Sequence, residues 1–313
     1  MTLFKIKTLQ TVAFFILEKP RLERILRYFS LRLFFRRYFK IGALVFAYSS
    51  YLKKPEIRIS TIGKYQVYVN IAENQGIHLY FFAEHNEPFA AWLASKLLNE
   101  GDVGIDVGAN MGSYTFVMAN SVYPGGKVFT FEPNLDLYSK LLDSVALNQC
   151  HNFISVDNRA LYNNSGETLK FYISNNPGNS GTSSLINHGV FISEENFIIV
   201  KTITLTDYFK ANNIENCKLI KIDVERAELE VLKGAIELLE KRRIDYIILE
   251  QLAGSQSQSL LHSLGYNGWL IDEEKKVLIA DNQITTDYFG NYLFVNPNCI
   301  SQFKKQYSAL LSN

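Results

Sequence analysis

Two short clusters in this 313-residue chain combine residue types and spacing that fit chemistry. The first runs Asp106-Val107-Gly108-Ala109-Asn110-Met111-Gly112-Ser113-Tyr114. Glycines 108 and 112 allow a tight turn from strand to helix and let a ligand come close to the backbone. The pattern is near that of a dinucleotide loop. However, Asn110 stands where the second glycine would leave the backbone bare for a pyrophosphate, and Ser113 replaces the third. Asp106 would repel a pyrophosphate and attract a cation. Glu132 ends the next apolar run, 24 residues after Gly108, where a carboxylate accepts both ribose hydroxyls. Asn158 ends a third run; its amide meets the edge of an adenine or simply makes a turn.

The second cluster is Asp223-Val224-Glu225, with Glu228 a turn further on and Glu250 at the end of a later apolar run. Carboxylates at strand ends are placed to take a proton from a hydroxyl acceptor. Asp223 is the first candidate for base or acceptor contact, Glu225 the second, and Glu250 a residue that orients the acceptor. Each has a plainer reading. Asp223 is also a good helix N-cap, Glu225 and Glu228 are favourable first-turn charges, and Glu250 is also a plain strand terminus. The three carboxylates are oxygen donors of the kind Mg²⁺ takes, but carboxylates alone do not specify a metal. No metal is expected. The five histidines are scattered without paired spacing, and His188 sits near a polar loop. Asp106, Gly108, Asn110, Gly112, Tyr114, Glu132 and Asn158 together fit a cationic, phosphate-free adenosine compound. S-adenosyl-L-methionine, with its sulfonium and amino groups, is such a compound.

These residues need elements to hold them. From about residue 55 short apolar runs alternate with helical patterns: strands at 103–107, 127–131, 153–156, 218–223 and 245–250, with helices at 87–98, 113–121, 135–147, 225–240 and 257–264. A polar segment at 175–184 reads as a connecting loop or a flap over the site. Strands at 57–62 and 65–71 form a lead-in hairpin. Two late strands, near 276–279 and 292–295, suggest an antiparallel edge. Alternation of this kind specifies a doubly wound, mostly parallel α/β sheet covered on both faces.

Composition agrees: 47% hydrophobic and 20% charged residues describe a folded globular chain. Three widely spaced cysteines exclude a disulfide framework and a cysteine zinc site. The net charge of +1 hides an asymmetry, because residues 1–64 carry +11 and the remainder −10. We divide the chain into a basic amphipathic helical extension at 1–60 and an α/β domain at 61–313. Within residues 21–40, Leu22, Ile25, Leu26, Phe29 and Leu33 recur at helical spacing beside arginines, with Phe34, Phe35 and Phe39 adding bulk. That helix either lies on an anionic membrane surface or packs on its own acidic domain. The apolar stretch 11–17 makes no convincing secretory signal and no run is long enough to span a bilayer. The expected location is cytoplasmic, with membrane contact confined to the periphery.

The sequence resembles the FkbM-type S-adenosylmethionine-dependent methyltransferases. The resemblance rests on residues 106–115, Glu132-Pro133, Asn148, Ala160-Leu161, Ser183-Ser184-Leu185, Leu219-Ile220-Lys221-Ile222-Asp223-Val224-Glu225, Glu228 and Leu232-Lys233-Gly234, and covers about residues 100–255. It implies a seven-stranded, Rossmann-like class I methyltransferase sheet, S-adenosyl-L-methionine as cofactor, and O-methylation of a hydroxyl on a sugar, glycan or secondary metabolite. The expected partner is therefore a small-molecule or glycan acceptor and not a nucleic acid. One departure stands out: the family has glycine after the Asp-Val-Glu triplet, where this chain has Arg226. Arg226 narrows the site, supplies a cation for an anionic acceptor, or marks altered activity. The competing functions are a non-catalytic binding or scaffold protein on the same fold, and a nicotinamide oxidoreductase.

Overall fold

The structure is a computed structural model. It describes residues 19–32, 41–50, 52, 54–176, 178, 180–187, 189, 192–285 and 288–312. The apolar stretch at 11–17, residues 33–40 with Leu33, Phe34, Phe35 and Phe39, and His188 lie outside the described residues.

Helices α1 (Pro20–Ser30) and α2 (Ile41–Ser49) precede an antiparallel hairpin of β1 (Ile57–Ile62) and β2 (Tyr65–Asn70). A short α3 (Asn74–Ile77) runs into a π-helical turn, His78–Phe82, and then α4 (Pro88–Leu97). The βαβ series follows: β3 (Val103–Val107), α5 (Ser113–Val122), β4 (Lys127–Phe131), α6 (Leu135–Leu147) and β5 (Ile154–Asp157). An insertion of β6 (Ala160–Leu161), β7 (Thr168–Ser174) and β8 (Ile192–Ile203) makes a separate three-stranded sheet. The chain returns through α7 (Leu205–Ala211), β9 (Cys217–Ile222), α8 (Glu228–Lys233), α9 (Ile236–Glu240), β10 (Ile244–Leu252) and α10 (Gln256–Ser263). It ends with β11 (Asn267–Asp272), β12 (Val277–Ala280), β13 (Phe289–Val295) and α11 (Ile300–Gln306).

The main sheet has eight strands in the order β12-β11-β13-β10-β9-β3-β4-β5. The five strands from β10 to β5 are parallel, and β13 inserts antiparallel between β10 and β11. This is one strand more than the seven expected, because β11 and β12 form an edge hairpin where two late strands were expected in all. The missed strand, Asn267-Gly268-Trp269-Leu270-Ile271-Asp272, is nearly continuously apolar and follows its helix too closely to stand out. Without β12 the order is the expected doubly wound sheet. One face packs on α4, α5, α6 and α11, the other on α7 to α10. The helix expected at 225–240 is two helices, because residues 225–227 make a turn and the chain breaks again at Gly234-Ala235.

The described part of the basic extension packs inward. Leu26 of α1 and Val45 and Tyr48 of α2 share the core that contains β2 and α4. Glu23 is buried, and its carboxylate accepts from Arg58 Nε and Nη2, both at 2.7 Å, from Tyr48 OH at 2.6 Å and from Tyr80 OH at 3.1 Å. Ile25, expected on the apolar stripe, faces outward with Arg21, Arg24 and Tyr28. No helix among the described residues is long and apolar enough to cross a membrane.

Candidate active site at the carboxyl ends of the parallel strands

In an open α/β sheet, strands deliver side chains to one edge, and ligands bind beyond their carboxyl ends. Here four strand ends converge. Gly108 and Ala109, just past β3, both donate N–H to the Phe131 carbonyl of β4 at 3.0 Å. The Glu132 N–H donates to Asp157 of β5 at 3.0 Å, and the Asp223 N–H to Val107 at 2.9 Å. These bonds fix Gly108, Glu132 and Asp223 around one cavity of about 190 Å³, which Glu250 at the end of β10 also lines. Gly108 has φ +82°, and a Cβ there would meet the Asp223 carbonyl oxygen at 1.8 Å. Only glycine lets these two strand ends meet.

The cofactor set is largely assembled as read. Asp106, Gly108, Asn110, Tyr114 and Glu132 all line the cavity. Asp106 is buried, accepts from Thr115 Oγ1 at 2.5 Å, and pairs in register with Lys221 of the next strand. Burial raises its pKa to about 6. Glu132 accepts backbone N–H bonds from Asn110 at 2.7 Å and Asn134 at 2.9 Å, yet burial still lifts it to about 7. Tyr114 donates its hydroxyl to Glu87 at 2.8 Å, and its ring lies 5.2 Å from the Lys221 ammonium.

Two of the expected residues lie elsewhere. Gly112 does not line the cavity. It starts α5 in the left-handed conformation at φ +85°, and a Cβ would meet Leu141 at 2.5 Å, so its bareness serves helix packing. Asn158 is exposed and outside the lining, while its neighbour Asp157 is held by Arg159 at 2.6 Å. The side chain that follows the third strand therefore turns to solvent.

The second cluster is also brought together. Oxygens of Asp223, Glu225 and Glu250 lie within 4.8 Å of one another. Beneath them the buried Lys221 ammonium stands 3.4 Å from Asp223. Burial alone would lower the lysine's pKa, but Asp223, Glu87, Glu250 and Asp106 outweigh it and hold the ammonium charged. Burial and the neighbouring Asp223 carboxylate push Glu250 well above the carboxylate range, so it keeps its proton at neutral pH. Burial, with Asp223 and Glu228, raises Glu225 to about 7. Glu228 sits outside the lining and accepts the Arg226 N–H at 3.0 Å, locking the turn.

Arg226 has φ +77° and Glu225 φ +52°, a left-handed pair in which a glycine would be at ease. The arginine side chain is exposed and does not line the cavity. Arg226 therefore does not narrow this site; its charge reaches the cavity only through its attraction for the lining Glu225, and the departure from glycine also leaves a backbone strain.

Sequence reading missed the site's other wall. Lys221 was visible only as a lysine inside the apolar run Leu219-Ile220-Lys221-Ile222. Glu73, Gln75 and Glu87 come from the segment between β2 and α4, and Ser180, Ser183 and Leu185 from the loop after β7. The loop read as a flap or a connection thus lies over the cavity. Ser180 anchors it to Glu73 at 2.5 Å, and Ser184 binds the Glu225 carbonyl at 2.6 Å. Asn148 proves to be a clasp, since it bonds both polar atoms of the Gln66 backbone and ties β2 to α6. Among the described residues seven buried side-chain polar atoms lack a hydrogen-bond partner. Gln75 Oε1, Asn110 Oδ1 and Lys221 Nζ belong to residues lining the cavity, and His85 Nε2 and Asn291 Oδ1 to residues bonded to its Glu87. Buried groups are rarely left unpaired, so such a concentration marks the place of a polar ligand.

The doubly wound sheet with an acidic cavity of about 190 Å³ at its switch point is of the class I methyltransferase type. The comparisons narrow this to a family. The Methyltransferase FkbM domain matches residues 106–266, just over half of the chain, and the protein belongs to that family. The methyltransferase sdnD of Sordaria araneosa is 30% identical over 156 residues, covering 42% of this chain and 60% of that protein. The hexuronic acid methyltransferase AglP of Haloferax volcanii is 29% identical over 155 residues, covering 50% and 58%. The chain thus spans about three fifths of the length of these curated relatives. A solved methyltransferase FkbM from Methylobacillus flagellatus KT aligns with a TM-score of 0.39 and 16% identity, over 63% of this chain and 44% of that one.

Proposed function

We propose that the protein is an S-adenosyl-L-methionine-dependent O-methyltransferase acting on an uncharged hydroxyl compound such as a sugar, glycan or secondary metabolite. The observation that carries this reading is the cavity's charge pattern: buried Asp106 and Glu132 face a space with no phosphate cradle, and a carboxyl cluster stands beside them around one lysine. The residues present fit the cofactor, since Asn110 Oδ1 has no partner and each Glu132 oxygen, accepting one backbone N–H, keeps a lone pair for a ligand hydroxyl. Glu132 would take the ribose hydroxyls, and Asp106 would face the cationic end. The bound cofactor supplies an electrophilic methyl group. Asp223, paired with the Lys221 ammonium, receives the acceptor's proton, while the protonated Glu250 donates a hydrogen bond that orients the acceptor oxygen.

Among the described residues seven carboxyl side chains, Glu250 in its protonated form, line the cavity with one lysine. Such a field disfavours an anionic acceptor. The Haloferax relative is named for a hexuronic acid, and here we assign a neutral hydroxyl instead. The scaffold reading was motivated by Arg226, whose exposure removes that motive, and a dinucleotide is opposed by Asn110, Ser113 and Asp106. Labelled methyl transfer from the cofactor to a panel of neutral glycosides and their uronic acid counterparts tests the proposal. We expect label in the neutral set; label in the uronic acids alone would refute the acceptor assignment.

Contact with an anionic membrane is a separate proposal, supported by Arg21 and Arg24 exposed beside Ile25 and Tyr28 on α1, with Arg32 exposed just after it. Sedimentation with anionic vesicles should be lost in an Arg21→Glu/Arg24→Glu variant; equal pelleting of both forms sinks it.

A further inference from the structure

The sheet face that carries the site can be followed outward in rows, because alternate residues of a strand share a face. The inner row is Asp106, Lys221, Ile248 and Leu293, paired in register across β3, β9, β10 and β13. One step further out are Asp223, just past the end of β9, and the pair Glu250 and Asn291. The outermost row is the pair Leu252 and Phe289, opposite each other on β10 and β13. These two are 50% and 55% exposed, and Tyr288 beside them is 49% exposed. A cross-strand apolar pair thus stands in open solvent about 7 Å beyond a row of charged and amide groups.

Exposed apolar residues scattered singly need no explanation, but this pair continues a functional surface. The charged row is where the acceptor oxygen must sit, since Asp223 and Glu250 are there. Whatever else the acceptor carries must lie further out, over the next row. We propose that Leu252 and Phe289 are the subsite for an apolar ring or chain of the acceptor, adjacent to the hydroxyl that is methylated. The inference rests on the methyltransferase reading above and deepens it. The acceptor is an uncharged hydroxyl compound with an apolar substituent, such as an aryl glycoside, and not a free polar sugar. Leu252 and Phe289 lie outside the lining of the cavity that holds the cofactor residues, so they would select the acceptor without affecting the donor.

The test uses the full chain loaded with S-adenosylhomocysteine and measures binding of phenyl and methyl β-D-glucopyranosides and mannopyranosides by saturation-transfer NMR titration. We expect a phenyl glycoside to bind at least about tenfold more tightly than its methyl counterpart, as burial of one ring predicts. A Leu252→Ser/Phe289→Ser variant should lose that preference and keep its S-adenosylhomocysteine affinity and unfolding midpoint. Ile199→Ser, at another exposed apolar position on β8 (59% exposed), should retain the preference. Absence of the preference in the unaltered chain, or its survival in the double variant, overturns the inference. A unaltered chain that fails to bind S-adenosylhomocysteine refutes the methyltransferase reading instead. Sedimentation velocity covers the remaining occupant: a dimer that the double variant dissolves would assign the rim to a second copy and also overturn it.

Discussion

Two carboxyl groups in this molecule, one buried and one partly buried, receive opposite treatment. Glu23, on the N-terminal helix, is met by Arg58 and two tyrosines. Burial would raise its pKa, but Arg58 and Tyr48 outweigh it and hold it below the ordinary value. Glu250, at the carboxyl end of β10, is only partly buried, yet burial and the facing Asp223 drive its pKa up. Asp106, Glu132 and Glu225 are raised in the same way. The difference separates structure from function. The Glu23 hub is complete in itself, so its charge stabilises the fold. The strand-end cluster has no such set of partners among the described residues, and three residues lining it keep unpaired buried polar atoms.

The contrast can be broken experimentally. The largest effect should come from Gly108→Ala, whose Cβ would overlap the Asp223 carbonyl at 1.8 Å. We expect no measurable S-adenosylhomocysteine binding and a loss of about 3 kcal/mol or more in urea unfolding. Normal binding would mean that the β3 and β9 ends are not joined as described. Glu23→Ala should cost about 3 kcal/mol, because it strands its partners in a buried site. Cofactor affinity should stay unchanged, and a parallel fall in both would erase the distinction between the two regions.

The site carboxylates predict a pH dependence of opposite meaning. Glu132 must be ionised to accept ribose hydroxyls, and its pKa without ligand is about 7. The ionised fraction shrinks as pH falls through that value, so affinity for S-adenosylhomocysteine should weaken about tenfold from pH 8 to pH 6. Asp106, at about 6, adds to the fall at the lower end. A flat profile from titration calorimetry would remove Glu132 from the ligand contacts. The smallest effect is Arg226→Gly. Relieving φ +77° should stabilise the protein by about 1 kcal/mol and leave methyl transfer intact, because the side chain is exposed away from the cavity. A loss of transfer in this variant would restore a role for Arg226 in the site.

The legibility of these parts from sequence follows from where the chain keeps its information. The β3–α5 loop and Glu132 are local signals: a strand period, two glycines and a carboxylate at a fixed offset. The structure puts Asp106, Gly108, Asn110 and Glu132 at one cavity. Gly112 and Asn158 fall outside its lining, because bareness and polarity at a strand end do not say whether a residue faces a cavity, a helix or solvent. The opposite wall was read only at Glu250. Gln75 and Glu87, Ser180, Lys221 and Glu250 come from four separate segments, and only the fold brings them together. The eighth strand was missed for a similar reason, since edge hairpins depend on pairing and not on periodicity. Lys221 is the instructive omission. A lysine inside an apolar parallel strand must have a charged counterpart, and Asp106 of the neighbouring β3 and Asp223 just past the end of its own strand offer it.

The central claim is that the strand-end cavity binds a cationic, phosphate-free adenosine ligand. Titration calorimetry of the full chain with S-adenosylhomocysteine and with NAD, repeated in Asp106→Ala and Glu132→Ala, tests it most directly. The account predicts binding of S-adenosylhomocysteine alone, weakened in both variants while the unfolding midpoint shows the fold retained. Binding of NAD without S-adenosylhomocysteine, or affinity untouched by either substitution, would contradict it.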